Sequence, residues 1–84
     1  MNNNAIKVRV FNMDEGLVEY ENIKSVRIVS RDYNLLIMKD YMPIIGEIDG
    51  NLEIEGVDIN KEYKNIKGYY MHYDNTFNII IEGE

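Results

Sequence analysis

An all-β sandwich or flattened barrel, built from about eight to ten short and mostly antiparallel strands, is the fold class this sequence predicts. Three observations lead there. Stretches such as IKVRVF and TFNIII alternate side chains with a period of two, the signature of half-buried strands. No window of about eleven residues sustains a helical period. The composition sets thirteen isoleucines and eleven asparagines against a single alanine. Isoleucine is stiff at χ1 and suits a pleated surface, and asparagine competes with helical hydrogen bonding and favours turns.

The 84 residues read as one domain spanning 1–84, with disorder expected over 1–5, where three asparagines follow the first methionine. In the first strand Ile6, Val8 and Val10 face one way and Lys7, Arg9 and Phe11 the other. NMDEG is a turn cluster. LVEYE follows as a second short strand, which Asn22 is expected to break, and IKSVRIVS as a third, with Val26 and Ile28 on one face. After the polar loop Arg31–Asn34, Leu35 to Met38 is apolar on both faces, which predicts a strand at the centre of a sandwich. Lys39-Asp40-Tyr41 then has the length of a turn. Pro43 cannot donate a ladder hydrogen bond, so it is expected at an edge or bulge. Gly46 offers a bend and Asp49-Gly50 a turn, and Gly56 separates NLEIE from VDI. NKEYKN gives a turn and a short strand. GYYMHY and TFNIIIE close the chain around a two-residue hairpin turn at Asp74-Asn75, with Phe77, Ile79 and Ile81 pointing inward.

Composition excludes several function classes. Fifteen acids against nine bases leave a net charge of −6, which repels a polyanion, so nucleic acid is not an expected partner. No cysteine is present, hence no disulfide framework, thiolate metal site or thiol nucleophile. The N-terminus lacks a basic and an apolar signal region, and the longest uncharged run, Asn75 to Ile81, is far short of the ~20 residues of a membrane helix. A soluble protein without membrane insertion is expected, in a reducing compartment such as the cytoplasm. Six acids between Glu47 and Glu62 (Glu47, Asp49, Glu53, Glu55, Asp58 and Glu62) read as a solvated strand face that discourages aggregation, because their spacing is not that of a calcium loop.

Candidate catalytic residues are few. His72 is the one histidine; if Tyr69, Met71 and Tyr73 face the core, His72 points outward with Tyr70. Ser25, Ser30 and Thr76 lie in no nucleophile context, and the scattered glycines form no phosphate loop. Carboxylates are numerous, yet a chain of this size with short loops offers little room for a water-excluding cleft. The expectation is a non-catalytic protein with no cofactor and no metal. Tyr63, Tyr69, Tyr70 and Tyr73 cluster near the C-terminus, where tyrosine serves equally as an interface residue and as core packing.

Taken together, these features resemble the N-terminal β-sandwich domain of the ATP synthase epsilon subunit. That family carries a block of the form G-x-L-G-I-x-P-G-H-x-P followed by two apolar residues. Here it reads Tyr33 to Pro43 without a gap, then Ile44 and Ile45, keeping Leu35, Ile37 and Pro43 of the signature. The family glycines fall on Tyr33, Leu36 and Asp40, and its histidine on Tyr41. A later G-x-L-x-I is matched from Gly50 to Ile54, and the terminal glycine, aromatic strand, turn and apolar strand by Gly68 to Ile81.

The resemblance implies a central-stalk part that contacts a gamma subunit and the loops of the membrane ring, at the cytoplasmic face of the membrane. Through it, Asp32, Tyr33, Asn34, Lys39, Asp40 and Tyr41 are the expected partner-binding positions. Family members continue into a helical hairpin that inhibits the motor; with Glu84 the last residue here, that inhibition is expected to be absent. The alternative is a free-standing β-sandwich interaction module, homodimeric through an edge strand.

Overall fold

The computed structural model describes residues 5–82, which form six strands and no helix. These are β1 (Ile6–Asn12), β2 (Gly16–Ser30), β3 (Asn34–Met38), β4 (Ile44–Gly56), β5 (Asn60–Tyr73) and β6 (Thr76–Ile81). The sheet runs β1-β6-β5-β4-β2-β3, and a further β1–β2 pairing closes the first five strands of that order into a barrel. Only β3 hangs outside the closure. All pairings are antiparallel except β1–β6, which is parallel from Lys7↔Thr76 to Phe11↔Ile80. The expected disorder over 1–5 lies, apart from Ala5, outside the described residues.

The fold class is as the sequence predicts, but with fewer and longer strands, because expected breaks are bends. Asn22 does not end a strand. It takes a left-handed φ of 59° within β2, beside register shifts against both β1 and β4. Asn65 does the same in β5 with φ 57°, where the register against β4 shifts, and its N–H donates to Asn51 Oδ1 at 3.0 Å. Asparagine tolerates this conformation better than other side chains, so two bulges bend long strands around a small barrel. Asp49-Gly50 is likewise no turn. Gly50 pairs with Ser30 and Ile66 inside β4, and a Cβ there would stand against the Val29 carbonyl, which explains the glycine.

The Asp74-Asn75 turn is as expected. Both residues have positive φ, 52° and 59°, as a type I′ turn requires, and Tyr73 pairs with Thr76. That turn fixes the face of every residue in β5, because directly opposed residues share a face. His72 opposes Phe77 and Tyr70 opposes Ile79, so both lie inside with them. The expectation that Tyr69, Met71 and Tyr73 face the core is therefore reversed; all three are exposed.

The core is Ile6, Val8 and Val10 of β1, Ile23, Val26 and Ile28 of β2, Ile37 of β3, Ile48, Leu52 and Ile54 of β4, Tyr70 of β5, and Phe77 and Ile79 of β6. Tyr70 and Phe77 stack at its centre with ring centroids 5.5 Å apart. Leu35–Met38 is not a central strand. β3 ends the sheet, burying Ile37 but exposing Leu36 and Met38. Pro43 is the last residue of the five-residue connection between β3 and β4, outside any ladder, so its missing donor costs nothing.

Candidate interaction surface

β3 separates the six residues expected to bind a partner. Asp32, Tyr33 and Asn34 stand at its start and Lys39, Asp40 and Tyr41 beyond its end, with roughly 20 Å of extended chain between Tyr33 and Lys39. At the first end the Tyr33 hydroxyl donates to the Glu47 carbonyl and lies 2.7 Å from the Tyr70 hydroxyl. Tyr70 is then the donor to Tyr33. Its hydroxyl and ring carbons stand where a Cβ on Gly46 would be, so glycine at that position is what lets the tyrosine pair reach across β4. Burial, with the Tyr33 hydrogen bond second, pushes the Tyr70 phenol well above its ordinary value. This pair is structural, and Tyr33 keeps only one flank open to a partner. Arg31, Asp32, Tyr33, Glu47 and Asp49 surround a shallow depression here.

At the other end Asp40 has φ 66°, a left-handed conformation at a position where the family block has glycine. The Tyr41 N–H donates to Met38 O at 3.1 Å and closes the turn. Asp40 N–H donates to Asn75 Oδ1 at 2.7 Å, and Asn75 Nδ2 returns a bond to Asp40 Oδ1 at 3.4 Å. The β3–β4 turn is thus clasped to the β5–β6 hairpin. Tyr41 lies edge-on to His72, with ring centroids 6.4 Å apart, and helps seal it from water. His72 is 0% exposed and neither ring nitrogen has a hydrogen-bond partner among the described residues. Burial lowers its pKa, so it is a neutral core residue, not an outward-facing base. Asp40, Tyr41, Pro43, Tyr73, Asp74 and Asn75 line a second open depression.

A third surface is absent from the sequence reading. Ladder partners place Tyr69 beside Ile80, Ile80 beside Phe11 and Phe11 beside Leu17, an unbroken row across β5, β6, β1 and β2 on the outside of the barrel. All four are about half exposed: 52%, 57%, 47% and 48%. Together they present roughly 400 Å² of surface, the size of the largest apolar patch on a typical monomer, which is often functional. Ile45 and Met71, opposed in the next row, extend it. That row continues into Asn78, Arg9 and Glu19, where Arg9 Nε holds Glu19 at 3.1 Å and supplies a polar rim. An apolar centre with a polar rim is the anatomy of a protein interface.

Acids of the Glu47–Glu62 stretch do not converge. Glu47, Glu53 and Glu55 lie on the outward side of β4, and no group of three or more His, Cys, Asp or Glu able to hold a metal occurs among the described residues. Of the clustered tyrosines, Tyr70 is core, Tyr69 and Tyr73 are exposed, and Tyr63 is half-buried, bonded to the Tyr20 hydroxyl at 2.8 Å.

No family model matches the chain, and no curated protein matches it by sequence. By structure it is similar to a chain of the Tetrahymena thermophila mitochondrial ATP synthase, from a cryo-EM structure of the central stalk and c-ring, with a TM-score of 0.74 and 14% identity. The likeness covers 92% of this chain and spans 63% of that one. At that identity it shows the fold alone: a small closed β-barrel of a kind present in an ATP synthase stalk assembly.

Proposed function

We propose that this chain is a non-catalytic protein-interaction domain of the central-stalk type, resembling the epsilon-subunit sandwich and docking a gamma-like subunit. The observation that carries the proposal is the apolar row Tyr69–Ile80–Phe11–Leu17 on a barrel already filled by its own core. The fold likeness supports it, since the comparable barrel belongs to a structure of a stalk and ring. In this reading the row meets a rigid partner subunit. Asp32, Tyr33 and Asn34 at one end of β3, and Lys39, Asp40 and Tyr41 at the other, are available to ring loops. The chain then works in the cytoplasm, peripheral to the membrane. Co-purification tests this: the tagged chain, expressed in its own cells, is expected to bring down a gamma-type stalk subunit. Phe11→Lys is expected to abolish that capture while leaving the barrel folded. Capture that never includes a stalk component refutes the reading.

The second reading, a free-standing interaction module, is favoured by one specific feature, the bare outer edge of β3. It predicts association that needs no stalk subunit.

A further inference from the structure

Among the described residues, the outer edge of β3 is the open strand edge that carries no charged side chain. Ser30 N–H donates to Tyr33 O at 2.9 Å, which makes Ser30 and Tyr33 a hydrogen-bonded pair in the β2–β3 register. Antiparallel ladders alternate, so Ile28↔Leu35 and Val26↔Ile37 are the next bonded pairs. Asn34, Leu36 and Met38 consequently aim their N–H and C=O groups away from β2. Among the described residues only Met38 O finds a partner there, the Tyr41 N–H.

The remaining open edges carry charges or are capped. From Gly16 to Tyr20 β2 pairs with β1 alone, and this stretch and its continuation carry Glu19 and Glu21. The first half of β4 has its Glu47 carbonyl taken by the Tyr33 hydroxyl. The part of β5 not covered by β6 carries Lys61, Glu62, Lys64 and Lys67, charges of the kind that block edge-to-edge pairing. β3 reads Asn-Leu-Leu-Ile-Met, with no charge, proline, glycine or bulge. Its outer face shows Leu36 and Met38 to solvent, and its inner face holds Leu35 and Ile37.

We propose that this edge pairs with the same edge of a second copy, antiparallel and across a two-fold axis through Leu36. The strand itself sets no like charges against each other at the contact, and antiparallel pairing is the arrangement that a two-fold axis permits. In this register Leu36 opposes Leu36 of the partner copy and exchanges a pair of hydrogen bonds with it. Asn34 opposes Met38 on either side, where the Met38 N–H donates to the Asn34 carbonyl while the Met38 carbonyl stays with the Tyr41 N–H. Leu36 side chains touch on the outer face, and Leu35 meets Ile37 on the inner face. Both apolar faces of β3 are then used, which the monomer leaves half done. The paired area of a five-residue strand is small, below the ~1,200 Å² of standard interfaces, so the dimer is a weak one that forms with rising concentration. The apolar row on β5, β6, β1 and β2 is not involved and stays free for another partner.

Sedimentation velocity across a concentration series up to about 1 mM, with amide exchange followed by NMR, tests this. Wild type is expected to shift from monomer to dimer, and the Leu36 amide to gain protection as concentration rises. Leu36→Pro removes the central donor without taking a bond from β2, and edge strands tolerate proline, so the fold is retained. It is expected to weaken association at least tenfold, as is Leu36→Lys, which adds the missing edge charge. Ile80→Lys, on the outer row, is expected to leave the dimer intact. A chain that stays monomeric throughout overturns the proposal. So does a dimer indifferent to both Leu36 variants, or one abolished by Ile80→Lys alone. Should Leu36→Pro fail to fold, Leu36→Lys and wild-type exchange at Leu36 still decide the matter.

Discussion

Replacing His72 with leucine should stabilise the protein, and more so in acid. The imidazole is fully buried between Tyr41, Phe77 and its ladder neighbours, with both ring nitrogens unpartnered among the described residues. Leaving a buried polar group unsatisfied costs about 1–3 kcal/mol, and leucine removes that cost while keeping an apolar side chain of comparable size. Some ring contacts are lost, so the net gain at pH 7.5 is expected at roughly 1 kcal/mol. The pH dependence is sharper. Burial holds the folded-state pKa of His72 below its ordinary value, so in acid the unfolded chain binds a proton that the folded chain refuses. Wild-type stability is then complete above about pH 6.5 and falls as pH drops through that value. The slope approaches about 1.4 kcal/mol per pH unit until the folded pKa is reached. Urea unfolding of both proteins from pH 7.5 to 5 measures this, and the His72→Leu advantage should widen by up to about 2 kcal/mol across that range. An advantage that does not change with pH would refute the reasoning, since the imidazole would then titrate alike in both states.

Phe77→Ala removes the largest fully buried side chain and the ring stacked on Tyr70, and should cost about 3–5 kcal/mol in urea unfolding. Asn75→Gly keeps the left-handed backbone but loses both side-chain bonds to Asp40, and should cost about 1–2 kcal/mol, with faster amide exchange at Asp40. Gly46→Ala places a methyl where the Tyr70 hydroxyl stands, and should cost about 1–3 kcal/mol while breaking the Tyr33–Tyr70 bond, visible as a shifted phenol signal. Ile80→Lys should leave the melting temperature within a few degrees of wild type, because the side chain is already exposed, yet abolish partner capture.

Alternation made β1 and β6 readable before any coordinates: Ile6, Val8, Val10, Phe77 and Ile79 are all core. The Asp74-Asn75 turn was equally legible, and it held more than the sequence reading drew from it. A two-residue loop opposes His72 to Phe77, so placing Phe77 inside already places His72 inside. Tyrosine and methionine at alternating positions pulled the assignment the other way, because hydrophobic character alone does not separate a core face from a docking face. The bulges were less accessible. Asn22 and Asn65 look like ordinary turn residues, and only closure of the barrel turns a break into a bend. Closure also demoted the apolar run Leu35–Met38 to the outside, since the β1–β2 pairing leaves β3 no second neighbour. The outer row has no sequence signature, because Leu17 and Tyr69 become near neighbours only through the parallel β1–β6 ladder.

Site-specific photo-crosslinking from position 80, in cells that make this chain naturally, addresses the docking claim most directly. A crosslink from that position to a gamma-type stalk subunit, and none from Glu53 on the acidic flank, is the expected result. Crosslinks from Glu53 alone, or position 80 reaching only solvent, would show that the exposed row is not where this barrel meets its partner.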